Sequence, residues 1–249
     1  MKRLKGKVAI ITGSASGIGK ATAVLFAHEG AKVVVSDINI HDGESVVKNI
    51  LDSGGEAIFI KADTSNPVDN ENLVNKTVER FGALHIAVNN AGIGGELAPL
   101  ADYSLEGWKR VIDINLSGVF YGMKYQIPAM LNSGGGSIVN ISSILGAVGF
   151  PSAPAYTAAK HGVVGLTRQS ALDYSAKGIR VNAVGPAFIK TPMISALPPE
   201  ANEQLIAAHP IGRLGEPEEV AQLIAFLASE QASFITGNYY AVDGGYLAR

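Results

Sequence analysis

Residues 7–37 read KVAIITGSASGIGKATAVLFAHEGAKVVVSD. Two short β-branched runs, KVAII at 7–11 and KVVVS at 32–36, flank a glycine-rich turn and a helical stretch near 18–29. Strand, tight turn, helix and strand make one β-α-β unit, and such a crossover joins parallel strands. Outward from this unit the alternation continues through AIFI (57–60), LHIAV (84–88), SIVNI (137–141), IRVNAV (179–184) and YYAV (239–242). Helices are expected between them near 42–53, 67–81, 104–131, 155–177 and 217–229. Continuous apolar strands alternating with helices require a sheet covered on both faces. The expected fold is α/β: a doubly wound sheet of seven mainly parallel strands with helices on both faces, in a single domain over 1–249.

Local signals support the helix positions. Asn66-Pro67 reads as a cap followed by proline in the first turn, and Glu216-Pro217-Glu218-Glu219 places carboxylates where the helix macrodipole favours them. Gly54-Gly55 and Gly134-Gly135-Gly136 mark loops that feed the next strand. One stretch, PAFIKTPMISALPPEANEQLIAAHPIG at 186–212, reads as neither strand nor regular helix. A long apolar connection past a strand's carboxyl end is where open α/β sheets bind ligands, so 187–212 is expected to be a substrate lid.

The chain has 249 residues, 47% hydrophobic and 17% charged, with a formal net charge of −2 and no clustering of either sign. Nothing in that balance steers it toward nucleic acid or an anionic membrane, and a small-molecule partner is expected. With no cysteine, disulfides and thiolate catalysis are excluded, and five scattered histidines show no metal-ligand spacing, so no metal is expected. The apolar run VAII after MKRLKGK is too short for a signal peptide, and no stretch reaches bilayer length. A cytoplasmic protein is expected.

Gly13, Gly17 and Gly19 sit between the first strand and the first helix, spaced GxxxGxG. Glycines there permit a tight turn, close backbone approach to a pyrophosphate, and helix N-terminal amides aimed at the anion. The spacing alone is a weak signal, because glycine turns between strand and helix are common for structural reasons. Asp37, directly after the second strand, strengthens it. An acid there accepts from the ribose hydroxyls of an adenosine and repels a 2′-phosphate. With no Arg or Lys at Ser16 or Ile38, the expected cofactor is NAD(H) in preference to NADP(H), in a Rossmann-type sheet.

Tyr156 and Lys160, in PSAPAYTAAKHG, lie at i and i+4 on one helix face, so the ammonium can bias the tyrosine's proton. Ser143 precedes them at the end of SIVNISS. A phenol, a hydroxyl and an ammonium grouped behind a dinucleotide turn suit proton transfer to or from a carbonyl oxygen. Each residue taken singly has a structural reading: Tyr156 as packing, Ser143 as a strand end, Lys160 as a solvated face. His161, one position further around the helix, is read as packing or a partner contact, Trp108 as a helix anchor and Asp243 as ordering the C-terminal turn.

With TGSASGIG, NNAG at 89–92, Ser143, YTAAK at 156–160 and Pro186 in order, the chain resembles the short-chain dehydrogenase/reductase family over essentially its whole length, most closely bacterial NADH-linked ketoreductases and secondary-alcohol dehydrogenases. The resemblance implies Tyr156 as general acid/base, Ser143 as donor to the substrate oxygen, Lys160 as holder of the nicotinamide ribose, and Asn115 as keeper of a water in line with Lys160. It implies cofactor contacts at Gly13, Ser16, Gly17, Ile18, Gly19, Asp37, Ile38, Asp63, Thr64, Asn90, Ala91, Gly92, Pro186, Ile189 and Thr191, besides Tyr156 and Lys160. Ala187 stands where many members carry glycine. A homotetramer is implied, built on helices 104–131 and 155–177 with YYAVDGGYLAR taking part.

Ile144, Leu145 and Pro151, with Phe188, Met193 and Leu197 of the lid, outline an apolar pocket suited to aryl or alkyl ketones and their secondary alcohols. A sugar or polyol dehydrogenase stays open, with Glu96 as the residue that would bind hydroxyls. So does a non-catalytic dinucleotide sensor, although a sensor has no need of the proton donor. A carrier-protein-linked reductase is disfavoured by Asp37 and the even charge.

Overall fold

The computed structural model describes residues 2–195 and 199–248. Seven strands, β1 Val8–Thr12, β2 Lys32–Asp37, β3 Glu56–Lys61, β4 Ile86–Asn89, β5 Gly136–Ile141, β6 Ile179–Pro186 and β7 Tyr239–Val242, form one sheet in the order β3-β2-β1-β4-β5-β6-β7. Every pairing is parallel, which sharpens the expected "mainly parallel". The order reverses between β1 and β4, and that switch opens the crevice where such sheets take ligands.

Buried apolar side chains cover both faces. Ile11, Val33, Val35 and Val88 pack with Phe26 on one side, while Ile10, Val34, Ala87 and Ile138 pack with Leu73, Met123 and Met130 on the other. The alternation of neighbours along β1 and β2 is the period-2 strand pattern, here apolar on both faces.

The helices are α1 Gly17–His28, α2 Ile40–Asp52, α3 Pro67–Phe81, α4 Leu105–Ile112, α5 Gly118–Asn132, α6 Pro154–Tyr174, α7 Pro192–Ser195, α8 Pro199–Ala207 and α9 Pro217–Ala228. The Asn66 side chain accepts from Val68 N at 2.9 Å, capping α3 as expected. Glu219 reaches back to the Glu216 amide at 2.8 Å, closing the start of α9.

Two expectations need correction. The single helix expected at 104–131 is α4 and α5 joined by a π-helical turn, Asp113–Ser117, in which the Gly118 amide bonds back to Asp113 O. Hydrophobic periodicity does not register such a turn, because the chain stays helical while its ladder slips by one residue. The stretch 186–212 is also not irregular throughout: α7 and α8 lie within it, each opening on a proline. Several prolines in one segment read as breakers, whereas at the first turn of a helix proline is compatible with the fold. Both ends of this segment are tied down, since Lys190 N donates to Gly215 O at 2.9 Å and Lys190 pairs with Glu216.

Candidate active site

The glycine turn leaves β1 at the sheet's switch point. Gly13 and Gly17 have φ of +62° and +53°, a region that side chains disfavour. A Cβ on Gly19 would lie 2.2 Å from Gly13 O, so α1 closes on the turn only with bare backbone there. Asn90 braces the same turn, its Nδ2 donating to Thr12 O at 2.9 Å and Gly13 O at 3.0 Å, while the Ala91 amide donates to Thr12 Oγ1 at 3.2 Å. Ser16 stands at the α1 cap without a side-chain bond to the helix, so its own cap does not take the first-turn amides.

Asp37 ends β2 beside this turn. Its Oδ2 accepts from Ala15 N and its Oδ1 from Asn39 N, both at 3.0 Å, which fixes the carboxylate against the loop. Ser16 and Ile38 flank it exposed, and Ile18 packs on the core. Asp63 lies exposed at the end of β3, accepting from Ser65 N and Oγ, while Thr64 is buried under Gly118. A bare-backbone cradle, an uncapped helix N-terminus and a carboxylate at the second strand's end fit the diphosphate and ribose of a dinucleotide.

Tyr156, Ser143 and Lys160 come together beyond the ends of β4 and β5. Lys160 Nζ is 5.5 Å from the centre of the Tyr156 ring, one helical turn below it. The ammonium is buried and donates to Ile141 O at 2.8 Å. Ser143 is extended, with its Oγ accepting from Leu145 N at 3.2 Å. Its neighbour Ser142 is structural, donating to Lys160 O at 2.9 Å.

Burial pushes the Tyr156 phenol above its ordinary pKa, and the Ser143 hydroxyl beside it pulls the other way. Burial pushes the Lys160 ammonium down to about 8. In the protein alone desolvation dominates both groups and favours both neutral forms.

Asn115 lies in the π-helical turn, buried. Nδ2 donates to Ile93 O at 2.8 Å and Oδ1 accepts from Ile93 N at 2.9 Å, so the amide clamps the loop after β4. A Cβ on Gly92 would lie 3.2 Å from Asn115 Oδ1 and 3.6 Å from Lys160 Nζ, which places Gly92 between the two. Glu96, weighed above as a hydroxyl binder, instead accepts from Ser104 N at 2.6 Å near the start of α4.

The 187–212 segment meets the site at several points. Thr191 reaches the glycine turn, its Cγ2 3.0 Å from where a Gly17 Cβ would stand, and Met193 Sδ lies 3.9 Å from the same position on Gly94. Pro186 ends β6 buried. Ile189 is buried in the core and bridges to Gly215. Ile144 and Leu145 are buried in a cluster that Phe188 and Tyr156 pack against, whereas Pro151 is at the exposed rim. Leu197 lies outside the described residues.

Sequence reasoning named Phe188 but missed its aromatic partners in this pocket. Phe188 makes edge contacts with Phe150, His209 and Tyr246, at centroid distances of 5.8, 5.9 and 5.9 Å. His209 is buried, with Nδ1 2.6 Å from Leu205 O. These residues come from three segments far apart in the chain, and no local spacing joins them. Asn89, at the end of β4, donates to Asn140 Oδ1 at 2.8 Å and accepts from Gln126 Nε2 at 2.8 Å.

A family model described as enoyl-(acyl carrier protein) reductase matches residues 13–247. Cyclohexanol dehydrogenase of Acinetobacter sp. (strain SE19) is 52% identical over 247 residues, covering 99% of this chain and 97% of that one. Cis-4-hydroxycyclohexanecarboxylate dehydrogenase of Sinomonas cyclohexanicum is 46% identical over 242 residues, covering 97% of each. Among solved structures, levodione reductase superposes with a TM-score of 0.96 at 39% identity, covering 99% of both chains.

Proposed function

Because this chain belongs to the short-chain dehydrogenase/reductase family and is an oxidoreductase, we propose that it interconverts ring secondary alcohols and ketones with NAD(H), using Tyr156 as general acid/base. The observation that carries this reading is Tyr156 beside Ser143 and over Lys160, within an aromatic and aliphatic pocket. Two of the similar proteins are named for cyclohexane-ring alcohols, which supports a ring substrate within the apolar aryl or alkyl class expected from the lid.

When bound, NAD(H) supplies or accepts the hydride at the substrate carbon. In the reducing direction Tyr156 gives its proton to the carbonyl oxygen while Ser143 donates a hydrogen bond to the same atom, so negative charge developing there meets two donors. In the oxidising direction Tyr156 takes the hydroxyl proton. Lys160 holds a ribose and, while charged, favours the phenolate. Phe188, Ile144 and Leu145 exclude water and seat an apolar ring. Asp37 accepts from ribose hydroxyls and repels a 2′-phosphate, which is the support for NAD(H) over NADP(H).

Glu96 Oε1 accepts from Ser104 N, and what supports a ring alcohol over a polyol is the apolar cluster beside Tyr156. The 187–212 segment serves as the lid of a single catalytic domain, and the working form is a homotetramer of the cytoplasm. Among the described residues no helix is long and apolar enough to cross a membrane.

The test follows loss of NADH and NADPH with cyclohexanone and with open-chain and aryl ketones. The expected result is fast turnover of cyclohexanone with NADH, slow with NADPH, and a narrowed gap in Asp37→Ser. Preference for NADPH in the wild type would overturn the cofactor assignment, and turnover confined to polyols would overturn the substrate class.

A further inference from the structure

Ser143 is held from a strand that lies 96 residues away in sequence. Tyr239, the first residue of β7, donates its phenolic hydroxyl to Ser143 O at 2.9 Å, and the same carbonyl accepts from Gly146 N at 2.8 Å. Tyr239 is paired with Ala183 of β6, and Ala183 with Asn140 of β5, so the phenol reaches past one whole strand to the end of the next. The route exists because residue 185 is glycine: a Cβ there would lie 2.1 Å from the Tyr239 hydroxyl and 2.3 Å from its Cζ. Any side chain at 185 would push the ring off the Ser143 carbonyl.

With two donors on its carbonyl, the Ser143 peptide plane is fixed. That sets the direction of the Cα–Cβ bond from which the hydroxyl swings, and the Leu145 amide on Ser143 Oγ selects the rotamer. We propose that Tyr239 is a positioning residue for the reaction, directing the Ser143 hydroxyl at the Tyr156 phenol and the substrate oxygen by holding the Ser143 carbonyl. The inference rests on the reading of Ser143 and Tyr156 given above.

Burial, with Asp243 adding to it, pushes Tyr239 up to about 12, so it remains a donor throughout the working range. The ionisable groups sharing clusters with Tyr156 are Lys160 from its own helix, Tyr103 from the loop before α4 and Tyr246 from the C-terminal turn. None of these is the donor to Ser143 O.

The test compares full-length wild type with Tyr239→Phe, Ser143→Ala, the double variant and Tyr156→Phe, using Tyr240→Phe as control. For Tyr239→Phe, kcat for cyclohexanone is expected to fall about fivefold, the loss typical of one hydrogen bond, with NADH affinity unchanged. The acid limb of cyclohexanol oxidation should move to higher pH, because a misdirected Ser143 no longer lowers the Tyr156 pKa. In the Ser143→Ala background Tyr239→Phe should add nothing, as expected of two residues acting in series. Equal losses in both backgrounds, or wild-type kcat and pH limb in Tyr239→Phe beside an inactive Tyr156→Phe, would overturn the inference alone. Full turnover by Tyr156→Phe would overturn the reading of the site beneath it.

Discussion

Desolvation acts in opposite directions on Tyr156 and Lys160, raising the phenol and lowering the ammonium to about 8. At neutral pH the phenol therefore carries its proton, the form that serves ketone reduction, while the phenolate needed for alcohol oxidation is scarce. Cyclohexanone reduction is expected to hold its rate from neutral pH upward until the phenol ionises. Cyclohexanol oxidation should climb about tenfold per pH unit below that point. Paired pH–kcat profiles check this, and an oxidation optimum more acidic than the reduction optimum would contradict it. Ser143, Tyr156, Lys160 and Asp37 are legible in the sequence because each sits at a fixed offset within a local motif. Tyr239 and His209 are not, since their partners lie on other strands and helices and only the fold brings them together.

Among the elements, the β1-turn-α1 unit is the part most fully determined by local sequence. Apolar strand, glycines and helix all agree on one geometry. Gly19→Ala tests the turn directly, because its Cβ would collide with Gly13 O at 2.2 Å and with Asn90 Nδ2 at 2.6 Å. Dinucleotide affinity should fall at least about tenfold with far-ultraviolet dichroism retained, while Gly54→Ala, at a position with open space around it, should leave affinity unchanged. Undiminished affinity in Gly19→Ala would show that the turn does not carry the cofactor. The π-helical turn around Asn115 and the helices inside 187–212 escaped the sequence for a different reason. One differs from an α-helix by a single slipped hydrogen bond, and the others are short helices opened by prolines that resemble breakers.

Across the whole molecule, several large apolar side chains of the helices after β4 stand in solvent. Leu105 is 90% exposed and Leu172 81%, and Trp108 and Phe120 are also exposed, all on α4, α5 and α6. His161, Thr157, Pro154, Phe150 and Leu100 line a shallow hollow near the start of α6. The proposed tetramer would bury these helices between copies of the chain. Analytical ultracentrifugation should show a tetramer for the wild type and a smaller species for Leu172→Glu with Phe120→Glu. A wild-type monomer at micromolar concentration would contradict the proposed assembly.

The central claim is that Tyr156 moves the proton while the remainder of the site binds and orients. The most direct test is single-turnover reduction of cyclohexanone by wild type and Tyr156→Phe, with NADH binding measured on the same samples. Tyr156→Phe should react at least roughly a thousandfold more slowly than wild type with NADH affinity unchanged. Turnover within a few fold of wild type, in a variant that still binds NADH, would contradict it.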